Sequence, residues 1–349
     1  FGESKDHSFS MEYHGMGTRS WASMLTVRAF SDLMGKNHEK EAKPYHPILA
    51  AEEPEAHLHP NAQRTLYRQL IQSKGQVIIS THSPYLSALA DPYELRYLNK
   101  TGDNINVHYL NAALTPEDVR KIHREIIHTR GEILFSRAII LSEGETEEQS
   151  LPQLFAKYFD AEPFSLGVNF IGVGGSGKYT PFLKLAKDFD IPLFIFSDGE
   201  PRITKALQKH YEDVFGTTDI TKCDRITILD DTDFEGYLID SGFEDEIKSA
   251  ITNTGDDIEA WIKKRQGTQK RPQKTTKPNC SSCNQPIWEG ELRDYTDSGG
   301  RRMAMLEILD SNKPMYAQAV TEELCKKDKD GLPPKILEFF EKIKQELSL

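Results

Sequence analysis

Short apolar runs alternate with helix-like periodic segments along most of the chain. Residues 48–51 form one run, followed by Glu52 and Glu53, and residues 77–79 form a second, followed by Ser80-Thr81-His82. Between these runs, apolar residues recur at helical spacing. A strand, a helix and a strand, with polar residues after each strand, predict an α/β sheet whose functional groups lie at the strand ends.

A second alternating series follows residue 130, and we place a domain boundary there. Apolar runs predict strands at residues 138–141, 168–173, 193–196 and 226–229, with helical spacing between them. This order predicts a mainly parallel, doubly wound sheet. The predicted domains are therefore residues 1–130 and 131–349, and a helical tail closes the second domain.

Residues 263–300 interrupt the second series, and we interpret them as an inserted loop. The stretch from Lys263 to Lys277 holds seven Lys or Arg residues and no acid. These side chains either contact phosphates in a salt-dependent way or are simply solvated. Cys280 and Cys283 have metal-ligand spacing, but a structural zinc needs four ligands. All four cysteines of one chain, or pairs from two chains, would be required, so a plain reduced pair is favoured over zinc.

Composition narrows the class of protein. The 349 residues include 43 basic and 54 acidic side chains, a net charge of −11. This excludes a uniformly basic nucleic-acid coat, but not an enzyme with a local basic patch. Four cysteines do not form a disulfide framework, and no apolar run is long enough for a bilayer. No leader is visible at Phe1, so we expect a cytoplasmic protein with no membrane partner.

Acidic residues follow three of the predicted strands in the second domain. Because the ends of parallel strands meet at one sheet edge, we expect these carboxylates to gather there. Gathered carboxylates suit Mg²⁺ or Mn²⁺, and two such ions can support phosphodiester cleavage. The alternative is that they are helix caps and solvated turns. The candidates are Glu143, Glu147, Asp198, Glu200, Asp233 and Glu235.

A glycine-rich segment lies between the first two acidic clusters. Residues 172–179, Gly-Val-Gly-Gly-Ser-Gly-Lys-Tyr, nearly match the phosphate-binding P-loop. Tyr179 replaces the hydroxyl residue that would hold Mg²⁺, although Thr180 follows. We therefore favour a glycine turn over a P-loop.

Leu-Ser-Glu143-Gly-Glu-Thr-Glu147, the glycine turn and Asp198-Gly-Glu200 together resemble a Toprim domain. Asp233-Phe-Glu235, and Lys313 in Asn-Lys-Pro, resemble later motifs of the overcoming-lysogenization-defect (OLD) nucleases. The resemblance implies that the six acids are metal-site candidates and that Lys313 stabilises charge on the cleaved phosphate. Glu200 stands where many Toprim domains have Asp.

The front of the chain resembles the second lobe of an ABC-type ATPase. Its signature-like segment contains Gly15, Gly17 and Ser20, its Walker-B-like segment ends in Glu52 and Glu53, and His82 resembles the switch histidine. The resemblance implies that these residues bind ATP, with Glu52 on Mg²⁺ and Glu53 on the attacking water. A Walker A segment is expected before the signature segment and is not seen, so we expect no ATP hydrolysis by this chain alone.

Together the two segments resemble an OLD nuclease, and their order resembles the nuclease subunit of the Gabija anti-phage system. Membership implies metal-dependent DNA nicking or cleavage under ATPase control, a homodimer or higher oligomer, and in some members a helicase partner. Two alternatives stay open. One is a non-catalytic ABC/Toprim module that binds or clamps DNA, and the other is a topoisomerase with a tyrosine nucleophile elsewhere.

Overall fold

The computed structural model describes residues 10–38, 45–175, 177–217, 219–274, 279–283, 285–286 and 288–349. The chain divides into two units. One comprises residues 1–136 with 184–190, and the other comprises residues 137–183 with 191–349. The predicted Lys277 end of the basic stretch lies outside the described residues.

The first unit contains a parallel pair of strands and a separate antiparallel hairpin. Strands β1 (Ile48–Glu52) and β2 (Gln76–Ser80) are parallel, and Glu52 is paired with Ser80 at their carboxyl ends. Strands β3 (Tyr97–Thr101) and β4 (Asn104–His108) form the hairpin. The helices of this unit are α1 (Met16–His38), α2 (Pro60–Ile71), α3 (Pro84–Ser87) and α4 (Pro116–Ile122).

A short α-helix and a π-helical turn follow the hairpin of the first unit. Thr115 caps α4 through a reciprocal hydrogen-bond pair with Asp118, as the Thr-Pro-Glu-Asp sequence predicts. The α-helix ends at Ile122, however, and a π-helical turn, His123–Ile127, continues it.

The second unit is built on four parallel strands in the order β6-β5-β7-β8. Its strands are β5 (Ala138–Ser142), β6 (Val168–Gly172), β7 (Leu193–Ser197) and β8 (Ile226–Ile228). Strands β5 and β7 lie in the middle of the sheet and are buried on both faces, which explains their unbroken apolar runs. Because β5 neighbours both β6 and β7, the chain doubles back across the sheet, and the predicted parallel α/β class is confirmed.

Helices provide most of the rest of the second unit. Phe155, Phe194, Phe339 and Phe340 are fully buried in its main hydrophobic cluster. The helices are α5 (Glu145–Phe159), α6 (Thr180–Phe189), α7 (Pro201–Phe215), α8 (Phe234–Asp240), α9 (Glu244–Asn253), α10 (Ile258–Arg265), α11 (Ser298–Ser311), α12 (Lys313–Cys325) and α13 (Pro334–Leu347), of which the last part of α6 groups with the first unit.

The segment predicted as an inserted loop is more regular than expected. Within it, strands β9 (Gln269–Lys274) and β10 (Trp288–Leu292) form an antiparallel hairpin with a bulge between Glu289 and Glu291. The loop interpretation is therefore wrong for these strands. High charge and few apolar residues hid them, because strands without apolar alternation are not recognised from the sequence pattern. No helix in the described part of the chain is long and apolar enough to cross a bilayer.

Candidate active site

The first two predicted carboxylates lie at the junction between β5 and α5. Strand β5 is fully buried and ends at Ser142, so Glu143 is the first residue beyond it. Gly144 precedes α5, and Glu147 lies in the first turn of that helix with 2% of its surface exposed. A Cβ at Gly144 would lie 2.5 Å from Glu147 Oε2. Glycine therefore leaves room for Glu147 to lie at the positive end of the helix.

Asp198 directly follows β7. Because β7 pairs with β5, the backbone of Asp198 lies close to that of Glu143. The next residue, Gly199, donates its backbone N–H to the Thr232 carbonyl oxygen at 2.9 Å. A Cβ at Gly199 would overlap the carbonyl oxygen of Leu229. The loop after β7 is thus pressed against the loop after β8, and only glycine permits this contact.

The third acidic cluster begins α8. Asp233 caps that helix, and its Oδ1 accepts the backbone N–H of Gly236 at 2.8 Å. Glu235 Oε1 accepts a hydrogen bond of 2.8 Å from the Thr146 hydroxyl, which lies in the first turn of α5. The end of β8 is therefore tied to the end of β5 through side chains 89 residues apart.

Because these carboxylates are buried close together, each affects the pKa of its neighbours. Glu147 and Asp198 share a hydrogen bond. Burial is the largest cause raising the pKa of Asp198, and the carboxylates of Glu147, Asp233 and Glu143 raise it further. Burial also raises the pKa of Glu147, with smaller contributions from Glu235 and Glu143. Five acids from three strand ends thus share one electrostatic environment, in which a proton is held between two of them.

A buried tyrosine faces the same cluster and was not predicted as a site residue. Tyr179 is fully buried, and its pKa is raised by burial and then by the charges of Glu143, Glu147 and Asp198. Its side chain is enclosed beside carboxylates, so it does not supply the exposed hydroxyl that a P-loop needs at this position. In the sequence, the only signal was its departure from the P-loop pattern.

Lys313 and Glu200 occupy the margins of the site. Lys313 begins α12, with Nζ 3.5 Å from Asp310 Oδ1. Burial alone would lower the pKa of Lys313, but Glu235, Asp310 and Asp233 outweigh it and raise that pKa. Glu200 is exposed at the start of α7. Glu200 is therefore less enclosed than Glu147 and Asp198.

The carboxylates fit a hard divalent cation by chemistry but are not preassembled around one. Among the described residues, no group of three or more Asp, Glu, His or Cys side chains is arranged to hold a metal. Asp198 Oδ1 is nevertheless buried and lacks a hydrogen-bond partner within that part of the chain. A buried orphan oxygen among oxygen donors suits Mg²⁺ or Mn²⁺. Ligation by both Glu147 and Asp198 would require their shared proton to leave.

The first unit brings two of its predicted residues together. Glu53 follows β1 and His82 follows β2, and Glu53 Oε1 lies 3.5 Å from His82 Nε2. Both side chains are more than half exposed, and Glu52 is exposed beside them. Glu55, which sequence reasoning missed, is buried between the two loops. Its Oε1 accepts the Thr81 hydroxyl at 2.5 Å and the backbone N–H of His82 at 3.1 Å.

The signature-like residues lie at the start of α1. Gly15 is exposed before the helix, Gly17 is buried in its first turn, and Ser20 is half-buried one turn later. A Cβ at Gly17 would overlap the carbonyl oxygen of His57. Gly17 is thus required for packing against the loop that follows Glu53, a structural role that the sequence resemblance did not include.

Comparison with known families agrees with this geometry. Residues 134–199 match the family described as overcoming lysogenization defect protein-like, TOPRIM domain, and residues 3–87 match an AAA ATPase domain. The chain carries an OLD-like Toprim domain. The Toprim match covers the elements that hold Glu143, Glu147 and Asp198, and the AAA match covers those that hold Glu53 and His82. The predicted resemblance to OLD nucleases is therefore confirmed at the level of these two domains.

Individual relatives are similar to part of this chain. An OLD nuclease from Thermus scotoductus is 31% identical over 161 residues, covering 43% of this chain and 30% of the relative. The Old nuclease of Escherichia phage P2 is 24% identical over 222 residues, with coverages of 61% and 36%. The chain thus spans about a third of these relatives. The solved C-terminal region of an OLD protein from Xanthomonas campestris pv. campestris is 19% identical with a TM-score of 0.42, covering 61% of this chain and 97% of that one.

Proposed function

We propose that the Toprim domain is a DNA endonuclease that hydrolyses phosphodiester bonds with Mg²⁺ or Mn²⁺. The observation that supports it most strongly is the Glu147–Asp198 contact. Two acids 51 residues apart share a hydrogen bond at the end of adjacent strands, in a cluster with Glu143, Asp233 and Glu235. A structural role alone does not explain this arrangement, because carboxylates gathered in a buried site repel one another and destabilise the fold, and a bound cation relieves that repulsion.

The position of each residue in the site suggests a separate role in cleavage. Glu143, Glu147, Asp198 and Asp233 would hold the divalent cations. Such ions, when bound, supply an activated water and stabilise charge on the phosphate. Glu235 is held by Thr146 and orients the end of β8 toward α5. Lys313, kept protonated by the surrounding acids, attracts the phosphate and stabilises its added charge. Glu200, being exposed, is a candidate for contact with DNA-bound ions at the rim.

The proposal of ATPase control of this nuclease is supported by residues of the first unit. Glu53 and His82 lie together at the ends of parallel strands, as a water-polarising acid and a γ-phosphate sensor would. We propose that Glu52 binds Mg²⁺ with ATP and that nucleotide binding regulates DNA cleavage. Similarity to two OLD nucleases supports a nuclease, and we extend this proposal to a cytoplasmic, oligomeric enzyme of anti-phage defence that acts with a helicase partner.

Nicking of supercoiled plasmid DNA tests the proposal. The purified chain should convert supercoiled plasmid to nicked or linear DNA with Mg²⁺ or Mn²⁺ and not with EDTA. Asp198→Asn should lower the rate at least ~100-fold, because it removes a cation ligand. Glu145→Gln is the matched control, since Glu145 is an exposed acid two residues from Glu143.

Two results would contradict a nuclease, and two others would contradict the assignment of its chemistry to this carboxylate cluster. DNA binding without cleavage in both metals favours the clamp alternative. Relaxation without accumulating nicks favours a topoisomerase. Cleavage by Asp198→Asn at the parent rate would place the chemistry at another site, and equal loss in Glu145→Gln would indicate a general effect of charge.

A further inference from the structure

The tip of the β9–β10 hairpin carries two cysteines in a closed turn. The backbone N–H of Cys280 donates to the Gln285 carbonyl oxygen at 2.9 Å, which fixes the turn that holds Cys280-Ser-Ser-Cys283. Both thiols are free, Cys280 is half-buried and Cys283 is exposed. The turn therefore presents two sulfur atoms, three residues apart, at the end of a hairpin.

Backbone amides in this turn point at one of the sulfurs. The backbone N–H groups of Ser282 and Cys283 donate hydrogen bonds to Cys280 Sγ. Amides of the second and third residue after a cysteine stabilise a thiolate, which is the form that binds a metal. A turn that only reversed the chain would not need donors on the sulfur.

We propose that Cys280 and Cys283 bind Zn²⁺ together with the same pair from a second copy of the chain. Two cysteines separated by two residues supply adjacent corners of a tetrahedral site. A closed structural zinc site has four protein ligands, so the hairpin provides half of it. A two-fold pair of hairpins provides all four.

The other cysteines do not complete the site within one chain. Cys223 Sγ lies 3.2 Å from the Tyr211 hydroxyl, and Cys325 packs against the main hydrophobic cluster of the second unit. The sequence has no histidine after His210. Across the described ranges no third Asp, Glu, His or Cys joins the pair in a metal-binding group. In the proposed site, a second copy of the chain supplies the other two ligands.

The charge of the segment favours the same site. Zn²⁺ with four thiolates carries a net charge of −2, which needs nearby cations. Seven Lys or Arg residues precede the turn between Lys263 and Lys277 without an acid, although the chain as a whole is acidic. Basic residues on both copies would offset the thiolate charge and reduce the repulsion between the two hairpins.

Metal binding by the complete, reduced chain tests this site. Co²⁺ should give the sulfur-to-metal absorption of a tetrahedral four-thiolate centre, and Zn²⁺ should displace it. The parent should bind half an ion per chain more than the Cys280→Ser/Cys283→Ser variant. Cys223→Ser is the matched control and should bind like the parent. Sedimentation should show that a chelator lowers the parent's assembled mass and leaves that of the double variant unchanged.

Each other outcome overturns the proposal. One cysteine-dependent ion per chain would contradict the second copy as the source of ligands. No difference in metal between the parent and the double variant would contradict a zinc site altogether. A Cys280–Cys283 disulfide in protein purified without reductant, with no bound metal, would show a redox pair instead. Plasmid nicking measured on the same samples separates this site from the carboxylate cluster, because the two should fail independently.

Discussion

The two groups of acidic residues in this chain differ in burial, and that difference decides what each can do. In the Toprim domain, Glu147 and Asp198 are enclosed by the fold, and burial raises the pKa of both. In the first unit, Glu53 and His82 meet at 3.5 Å but are mostly exposed to water. The same arrangement of acids after strands thus gives a proton-coupled site in one unit and a screened pair in the other. Adjacent strand ends bring acids close together, but burial is what makes the pKa of one acid depend strongly on the charge of the others.

We expect the largest effect at the contact between Gly199 and the Leu229 carbonyl, which holds together two loops of the Toprim cluster. Gly199→Ala places a methyl group against the Leu229 carbonyl, so the loops after β7 and β8 must separate. We expect a loss of about 3 kcal/mol in the free energy of unfolding, measured in urea, together with the loss of nicking. Gly177→Ala is the control, because its Cβ would meet nothing within 4 Å. Equal stability of the two variants would contradict the packed-loop account.

Removing the charge at the centre of the cluster should stabilise the metal-free protein. Because the folded pKa of Asp198 is raised, the folded state retains a proton that the unfolded state has lost. Stability from this group is therefore present at low pH and falls as pH rises from the ordinary aspartate range through the raised folded pKa. Asp198→Asn should raise the free energy of unfolding by about 1–2 kcal/mol at pH 8 and by less at pH 5. Urea titrations with EDTA at both pH values measure this, and a destabilised variant at pH 8 would contradict it.

Loss of the hydrogen bond between Thr146 and Glu235 should have an effect of intermediate size on stability and on nicking. Thr146→Val keeps the shape of the side chain and leaves Glu235 without its 2.8 Å donor. We expect a loss of about 1 kcal/mol in the free energy of unfolding and a slower nicking rate. Thr252→Val, at an exposed position on α9, should change neither. Nicking at the parent rate in Thr146→Val would show that Glu235 needs no orientation.

The exposed pair in the first unit should matter least for stability. His82→Ala removes a contact between side chains that are 82% and 54% exposed, so we expect less than about 0.5 kcal/mol in thermal or urea unfolding. Glu55→Gln should cost more, because Glu55 is buried and accepts two hydrogen bonds from the β2 loop. A larger effect at His82 than at Glu55 would reverse the assignment of structural and functional roles.

The sequence predicted the parallel sheet and the strand ends well, for a physical reason. Fully buried strands such as β5 and β7 must be apolar throughout, so the pattern locates both the strand and the first polar residue after it. It could not show that Glu200 is exposed, because the direction of the chain after Gly199 depends on a contact with Leu229 that is 30 residues away. Tyr179 and Glu55 were missed for the same reason, since burial of a polar side chain is a tertiary property. The hairpin of residues 269–292 was missed because its charged strands lack the apolar alternation of a core strand.

Calorimetric titration with Mn²⁺ in two buffers of different ionisation enthalpy tests the central claim most directly, which is that one buried, proton-sharing carboxylate cluster binds the divalent cation. We predict that the parent releases protons as Mn²⁺ binds, that its affinity rises with pH, and that Asp198→Asn loses the binding while Glu145→Gln keeps it. Binding without proton release, or unchanged binding by Asp198→Asn, would contradict the claim.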